Sequence, residues 1–378
     1  MPLRRSAASL IALAALIAAP RADAEGPAEG PHDGFLAGLH RNSTLTSTVP
    51  GNGDQNPYAV VVVPASVGAL HQGDVLVDNF NNAANLQGLG TTIIAYRPAS
   101  HAMTLFAALP RQLAGCPGGV GLGTAMAVLR SGWVIVGSAP SEDGTTATKG
   151  PGCLIVLDAE GHVGGTLAGA EINDPWGNMA VIDRGDSATL FVSNVGFDIG
   201  PPAPDAPVAA RATVLRLELA IAPGKPPAVT AQTVIASGFG AKADKDVFLI
   251  GPTGLALAPD GTLYVSDAIG NRITAIADAP TRQSSAGTGR DVTRDGLLKR
   301  PLALALAPNS HLVATNALNG QAVEIDPRTG RQIGARWLDA DRAQTPPGSG
   351  DLFGLALTPE GDGLYYVEDD VNTLVLAR

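Results

Sequence analysis

Residues 251–267 read Gly-Pro-Thr-Gly-Leu-Ala-Leu-Ala-Pro-Asp-Gly-Thr-Leu-Tyr-Val-Ser-Asp. Positions 255–258 alternate large and small apolar side chains and stop at Pro259-Asp260-Gly261, a turn. Positions 262–265 then supply residues suited to a pleated, half-buried surface, with polar Asp267 closing the run. A short connection leads to a third strand over 272–276. The phrase returns at Asp351 as Asp-Leu-Phe-Gly-Leu-Ala-Leu-Thr-Pro-Glu-Gly and at Arg300 as Arg-Pro-Leu-Ala-Leu-Ala-Leu-Ala-Pro. Looser copies open at Asn56, Gly121 and Asp174. Recurrence of one strand–turn–strand unit marks an architecture of repeated β-meanders arranged radially.

Six copies predict an all-β, six-bladed β-propeller of four-stranded antiparallel blades, with first strands at 57–64, 122–129, 175–182, 252–259, 301–308 and 352–359. The last copy supplies only three strands, 352–358, 364–368 and 373–377. An unassigned strand lies upstream at 42–49, and pairing it beside 373–377 closes the ring. Closure hides sheet edges that would otherwise recruit other chains. The chain divides into a signal peptide (1–24), a linker (25–41) and the propeller (42–378).

Composition narrows the function classes. The formal net charge of −10 repels a phosphate backbone and argues against nucleic acid as a partner. Arg4 and Arg5, the apolar stretch 7–19 and Ala22-Asp23-Ala24 form the three regions of a secretory signal. No later run approaches the ~20 apolar residues of a membrane span. The expected product is a periplasmic or secreted monomer that does not insert into membranes. Its two cysteines, Cys116 and Cys153, suit one disulfide in an oxidising compartment.

The Pro-(Asp/Glu)-Gly…Leu-Tyr-(Val/Tyr)…Asp phrases of the fourth and sixth copies resemble the NHL-repeat six-bladed propellers, and more distantly the gluconolactonase-like propellers. The resemblance covers roughly residues 42–378. It implies a binding scaffold or a metal-dependent enzyme, without choosing between them.

Within a meander, first-strand starts and second-strand ends share one end of the blade. The starts are Asn56, Gly121, Asp174, Gly251, Arg300 and Asp351; the ends are Asn79, Ser138, Asn194, Asp267, Asn316 and Asp369. Ten of these twelve are polar or charged, which makes this face the expected ligand-binding mouth of an axial channel. Turn capping by each residue on its own backbone is the competing reading. Asn178 stands in a strand slot filled elsewhere by Val60, Ala125, Leu255, Leu304 and Leu355. The resemblance to gluconolactonase-like propellers nominates Asp174, Asn178 and Asp351 as ligands of a divalent cation. Hard oxygen donors of this kind suit Ca²⁺. Six scattered His show no metal-binding spacing.

Long second-to-third-strand connections at 79–92, 138–152 and 194–212 build a wall over blades one to three. Cys116 and Cys153 both fall at that rim. The segment 282–299, with Arg282, Arg290 and Arg294, reads as a long polar connection. Two functions follow. One is an exported scaffold that holds a small molecule or a protein on the loop-walled face. The other is a Ca²⁺-dependent hydrolase or lyase of gluconolactonase-like type.

Overall fold

In a computed structural model, described over residues 34–203 and 205–378, the chain forms six antiparallel sheets and almost no helix. The secretory signal, most of the stretch 25–41, His32 and Pro204 lie outside the described residues. The first strands are Gln55–Val62, Leu122–Val128, Pro175–Asp183, Pro252–Leu257, Pro301–Leu306 and Leu352–Leu357. Each packs against the first strands of the blades before and after it, so together they form the inner ring. Closure follows the sequence expectation: Asn42–Ser47 pairs antiparallel with Thr373–Ala377 and completes blade six.

Two details differ from expectation. Blade three gains a fifth short strand, Phe248–Ile250, because its outer strand Ala228–Asp244 is 17 residues long and folds back on itself. The stretch 282–299 is not wholly a connection, since Arg290–Arg294 is the outer strand of blade four.

Every inner strand carries a bulge near its start, as between Pro252 and Leu255, Pro301 and Leu304, or Leu352 and Leu355. A bulge leaves backbone groups outside the ladder, and buried ones must find partners. In blades one, four and five the second strand supplies them from the residue before its polar end. Ser266 Oγ accepts from Gly254 N at 2.6 Å, Thr315 Oγ1 from Ala303 N at 3.1 Å, and Asp78 Oδ1 from Ala59 N at 2.8 Å. The same hydroxyls donate onward to the next blade, Ser266 to Leu302 O and Thr315 to Phe353 O. Glycine in the repeat phrase follows from this crowding. A Cβ on Gly254 would overlap Leu302 O, and one on Gly354 would overlap Tyr58 O.

Aromatic side chains fill the ring's centre. Tyr58 stacks on Phe353 with centroids 3.9 Å apart and on Phe80 at 4.6 Å, and Trp176 meets both Tyr58 and Phe80 edge-on. All four are buried. Here the axis is a packed core and not an open channel.

Cys116 and Cys153 are joined, as expected, across a Cα separation of 5.1 Å. The bridge ties the loop before blade two's inner strand to the start of its third strand, Cys153–Leu157.

Of the stretch 25–41 expected as a linker, the described part from Gly34 packs on blade five. Leu36 and Leu39 are buried there in an apolar cluster with Val313 and Ala322. Phe35 N and Leu36 N both donate to the Glu324 carboxylate at 2.9 Å, and Asn309 and His311 also contact it. Burial opposes ionisation of Glu324, yet these donors together hold its carboxyl below the usual range. A depressed carboxyl contributes stability that is fully present above its unfolded value near ~4.3 and is lost as pH falls through the folded value. Glu324→Gln should therefore cost about 2 kcal/mol at pH 7 in urea unfolding. That cost should shrink toward pH 3; a pH-independent loss would mean that packing, not charge, holds this segment.

Candidate functional site

The ladder registers place the polar face and refine it. Opposite Pro57, Leu122, Pro175, Pro252 and Pro301 of the inner strands stand Asn79, Ser138, Asn194, Asp267 and Asn316 in blades one to five, and opposite Leu352 stands Glu368 in blade six. Asp369 is thus one residue past the equivalent position. Asp369 and Asp370 extend an acidic run that the other blades lack.

Most of the nominated residues are already engaged, by their own blade or by a neighbouring one. Asn194 Oδ1 accepts from Asn173 N at 3.1 Å, and Asn316 Oδ1 from Lys299 N at 2.9 Å, each restraining the loop into its inner strand. Asp267 is paired with Arg272 at 2.8 Å and caps Gly270 N. Asn79 Nδ2 donates to Thr48 O at 2.9 Å. Asn56, Asp174 and Arg300 adopt positive φ of 62°, 45° and 57°, which re-aims the chain into the ring. The Arg300 guanidinium reaches Asp244 at 3.5 Å.

Two of the three expected cation ligands are used otherwise. Lys149, on the long loop of blade two, places its ammonium 2.9 Å from the buried Asp174 carboxylate. Burial pushes Asp174 up to about 6, with Lys149 opposing the shift. The Asn178 carboxamide donates to Leu255 O at 2.8 Å and Leu304 O at 3.1 Å, and accepts from Leu304 N at 3.1 Å. It stitches blade three to the backbones of blades four and five, which explains a polar side chain in an apolar slot.

Asp351 is different. Its carboxylate lies with those of Asp339 and Asp370 so that one oxygen of each falls within 4.8 Å of the others. Asp339 follows blade five's outer strand Gln332–Trp337, Asp351 precedes blade six's inner strand, and Asp370 follows blade six's second strand Leu364–Glu368. Asp351 and Asp339 are buried, 4% and 9% exposed, and Oδ2 of each has no hydrogen-bond partner among the described residues. Burial first, then neighbouring Asp339, Asp370 and Asp369, push the Asp351 carboxyl up to about 9. Glu368 and Asp369 are raised to about 7, each chiefly by burial. Among the described residues no Lys or Arg forms an ion pair with any of these five acids. Such a set holds either protons or a hard cation. Asp339 and Asp370 were invisible as partners because they lie outside the repeat phrase.

A cavity of about 460 Å³ adjoins the cluster on the same face. Its wall carries six carboxamides, Gln55, Asn56, Asn81, Asn85, Gln87 and Asn372, together with Lys245 and the acids Asp246, Asp369 and Asp370. Asn56 Nδ2 donates to Asp369 Oδ2 at 2.7 Å, and Asn372 Oδ1 accepts from Asn56 N at 2.6 Å. The long loops expected over blades one to three do wall this side. Ser141 N donates to Gly88 O at 3.0 Å, and Thr146 Oγ1 to Gly200 O at 3.1 Å, so the second loop is braced against the first and the third.

With this geometry the chain is similar in fold to a gluconolactonase from Xanthomonas campestris, at a TM-score of 0.57 and 15% identity over 91% of both chains. It is also similar to a luciferin-regenerating enzyme, at a TM-score of 0.56 and 11% identity over 89% of this chain and 94% of that one. No family model and no curated protein sequence matches the chain. At such identities the likeness establishes the six-bladed ring alone.

The raised Asp351 carboxyl makes a signed prediction. Its contribution to stability is fully present below the unfolded value near ~3.9 and is lost as pH rises through about 9. In chelator, stability should therefore decline between those limits. Asp351→Asn should flatten the decline and raise Tm at pH 8, by thermal unfolding. A lower Tm for the variant at pH 8 would show that the carboxylate is not under repulsion.

Proposed function

We propose that this protein is an exported propeller, built from NHL-like repeats, that works as a Ca²⁺-dependent hydrolase of small polyhydroxylated lactones or esters. The observation that carries this reading is the pair of buried, unpartnered carboxylate oxygens of Asp339 and Asp351 beside an amide-walled cavity. The disulfide supports an oxidising compartment, and no described helix is long and apolar enough to cross a membrane.

Asp339, Asp351 and Asp370 would hold the cation, with Asp370, the exposed member, leaving room for water. Bound there, the ion would supply charge stabilisation to an oxygen gaining negative charge. The carboxamides offer paired donors and acceptors that match the hydroxyl groups of a polyol, and the cavity is of ligand size. Asp369 lines that cavity with a carboxyl raised to about 7, suited to taking a proton from water near neutral pH. Water attacks the carbonyl carbon as Asp369 accepts its proton. The acyl–oxygen bond then breaks, and the proton passes to the departing alkoxide. Asn56, bonded to Asp369, orients it.

The braced loops of blades one to three favour a second reading, a monomeric scaffold that holds a small molecule or a protein partner without turnover. One experiment separates the two. Full-length mature protein is titrated with Ca²⁺ by calorimetry and assayed for acid release from aldonolactones. On the hydrolase reading, Ca²⁺ raises Tm and is required for turnover, and Asp351→Asn abolishes both effects. Asp369→Asn should keep Ca²⁺ binding and lose at least ~10²-fold in kcat. Calcium binding without turnover supports the scaffold; indifference to calcium and chelator overturns the cation site.

A further inference from the structure

On the opposite face, at the ring-closing seam, a second cavity of about 460 Å³ opens between blades one and six. Adjacent blades diverge with distance from the axis, so large side chains must fill the wedge between them. At this seam the wedge stays open. Its inner surface is apolar, formed by Leu45, Tyr96, Tyr365 and Leu376. Leu45 sits in a bulge between Thr44 and Thr46 of the closing strand, and it is the bulge that allows this residue to line the gap.

The rim carries nitrogen bases. Arg97, His71, His101 and Arg378 all line the opening, against the acids Asp74 and Glu360. Asp74 is buried and engaged by Arg97 through Nε at 3.1 Å and Nη2 at 3.0 Å. That contact fixes the guanidinium, and nothing among the described residues accepts from its Nη1. His101, at φ 52° in the hairpin after strand Thr92–Arg97, approaches Tyr96 Oη through Nδ1 at 3.0 Å. Arg378 is held at the rim by Asp362 at 2.9 Å and Glu360 at 3.6 Å. The rim thus presents oriented N–H donors above an apolar floor.

We propose that this seam cavity is a binding site for an amphipathic carboxylate, its chain against Leu45, Tyr365 and Leu376 and its carboxylate between Arg97 and His101. The site is separate from the acidic cluster and does not depend on the function assigned there. Because Leu45 and Leu376 belong to the two strands that close the ring, occupancy should also stabilise closure.

Calorimetry and thermal unfolding of the full mature chain with sodium octanoate, and with octanamide as the uncharged counterpart, test this. Octanoate should bind at one site per chain, raise Tm, and exceed octanamide at least fivefold in affinity. The double variant Arg97→Gln/His101→Gln should remove that preference. Leu45→Trp, which fills the gap, should weaken octanoate at least tenfold while still unfolding in a single cooperative transition. Equal binding of the two probes, no binding of octanoate, or undiminished binding by Leu45→Trp would overturn the proposal. A variant that keeps the far-ultraviolet circular dichroism of the wild type and unfolds cooperatively shows that the fold survives the substitution.

Discussion

The constraint behind this structure is crowding at the axis. Six inner strands cannot approach one another as flat ladders, so each bulges, and each bulge exposes backbone groups that burial forbids leaving unpaired. Ser266 and Thr315 meet that requirement by accepting from their own inner strand while donating to the next blade. Asp78 fills the same slot in blade one with a carboxyl, and complete burial pushes it up to about 8. A neutral acid is the form that suits this buried slot. The hydroxyls therefore join blade to blade, and the glycine of the repeat phrase is what lets the strands come close enough for them to do so.

Blade six departs from this scheme, as blade two does with Gly137, and blade six also carries the acidic cluster. At the slot of Ser266 and Thr315 it carries Val367, which donates nothing to a neighbouring backbone. In blades three and five the polar strand end, Asn194 or Asn316, restrains the incoming loop through a neutral amide. In blade four Asp267 is neutralised by Arg272. Blade six has Glu368, Asp369 and Asp370 in succession and no such arginine. Asn56, from blade one, bonds Asp369 across the closure. The ring's start and finish thus meet where negative charge is least compensated.

The blade count, the closing strand and the disulfide were legible because each rests on local pattern: alternation, turn residues, an unassigned strand and two lone cysteines. The cation ligands were not. Asp174 and Asn178 have the right chemistry in the right repeat, but their partners come from elsewhere in the chain. Lys149 lies on a long loop with no repeat signal, and the carbonyls of Leu255 and Leu304 carry no side-chain signature at all. Asp339 follows an outer strand, where the repeat is weakest, so no alignment of copies could bring it beside Asp351. The filled axis had a signal in the repeat that was not used. Tyr58, Trp176 and Phe353 all hold the second position of their inner strands, counted from Pro57, Pro175 and Leu352, and only Phe80 joins them from a second strand.

A filled axis shifts where chemistry can occur. With aromatic rings stacked through the centre, a ligand cannot be surrounded symmetrically by six blades and must sit off-axis, against two of them and their loops. Polar groups are then useful only where they are not already bonded within their own blade. The amide-walled cavity and the Asp339–Asp351–Asp370 cluster meet that condition beside blade six, and the long loops of blades one to three close the far side. Burying like charges in one seam is unfavourable unless protons or a cation offset it, and a proton-loaded cluster would lose its protons as pH rises. A hard cation would remove that dependence, which makes Asp351 the residue on which stability and the proposed function are most directly coupled.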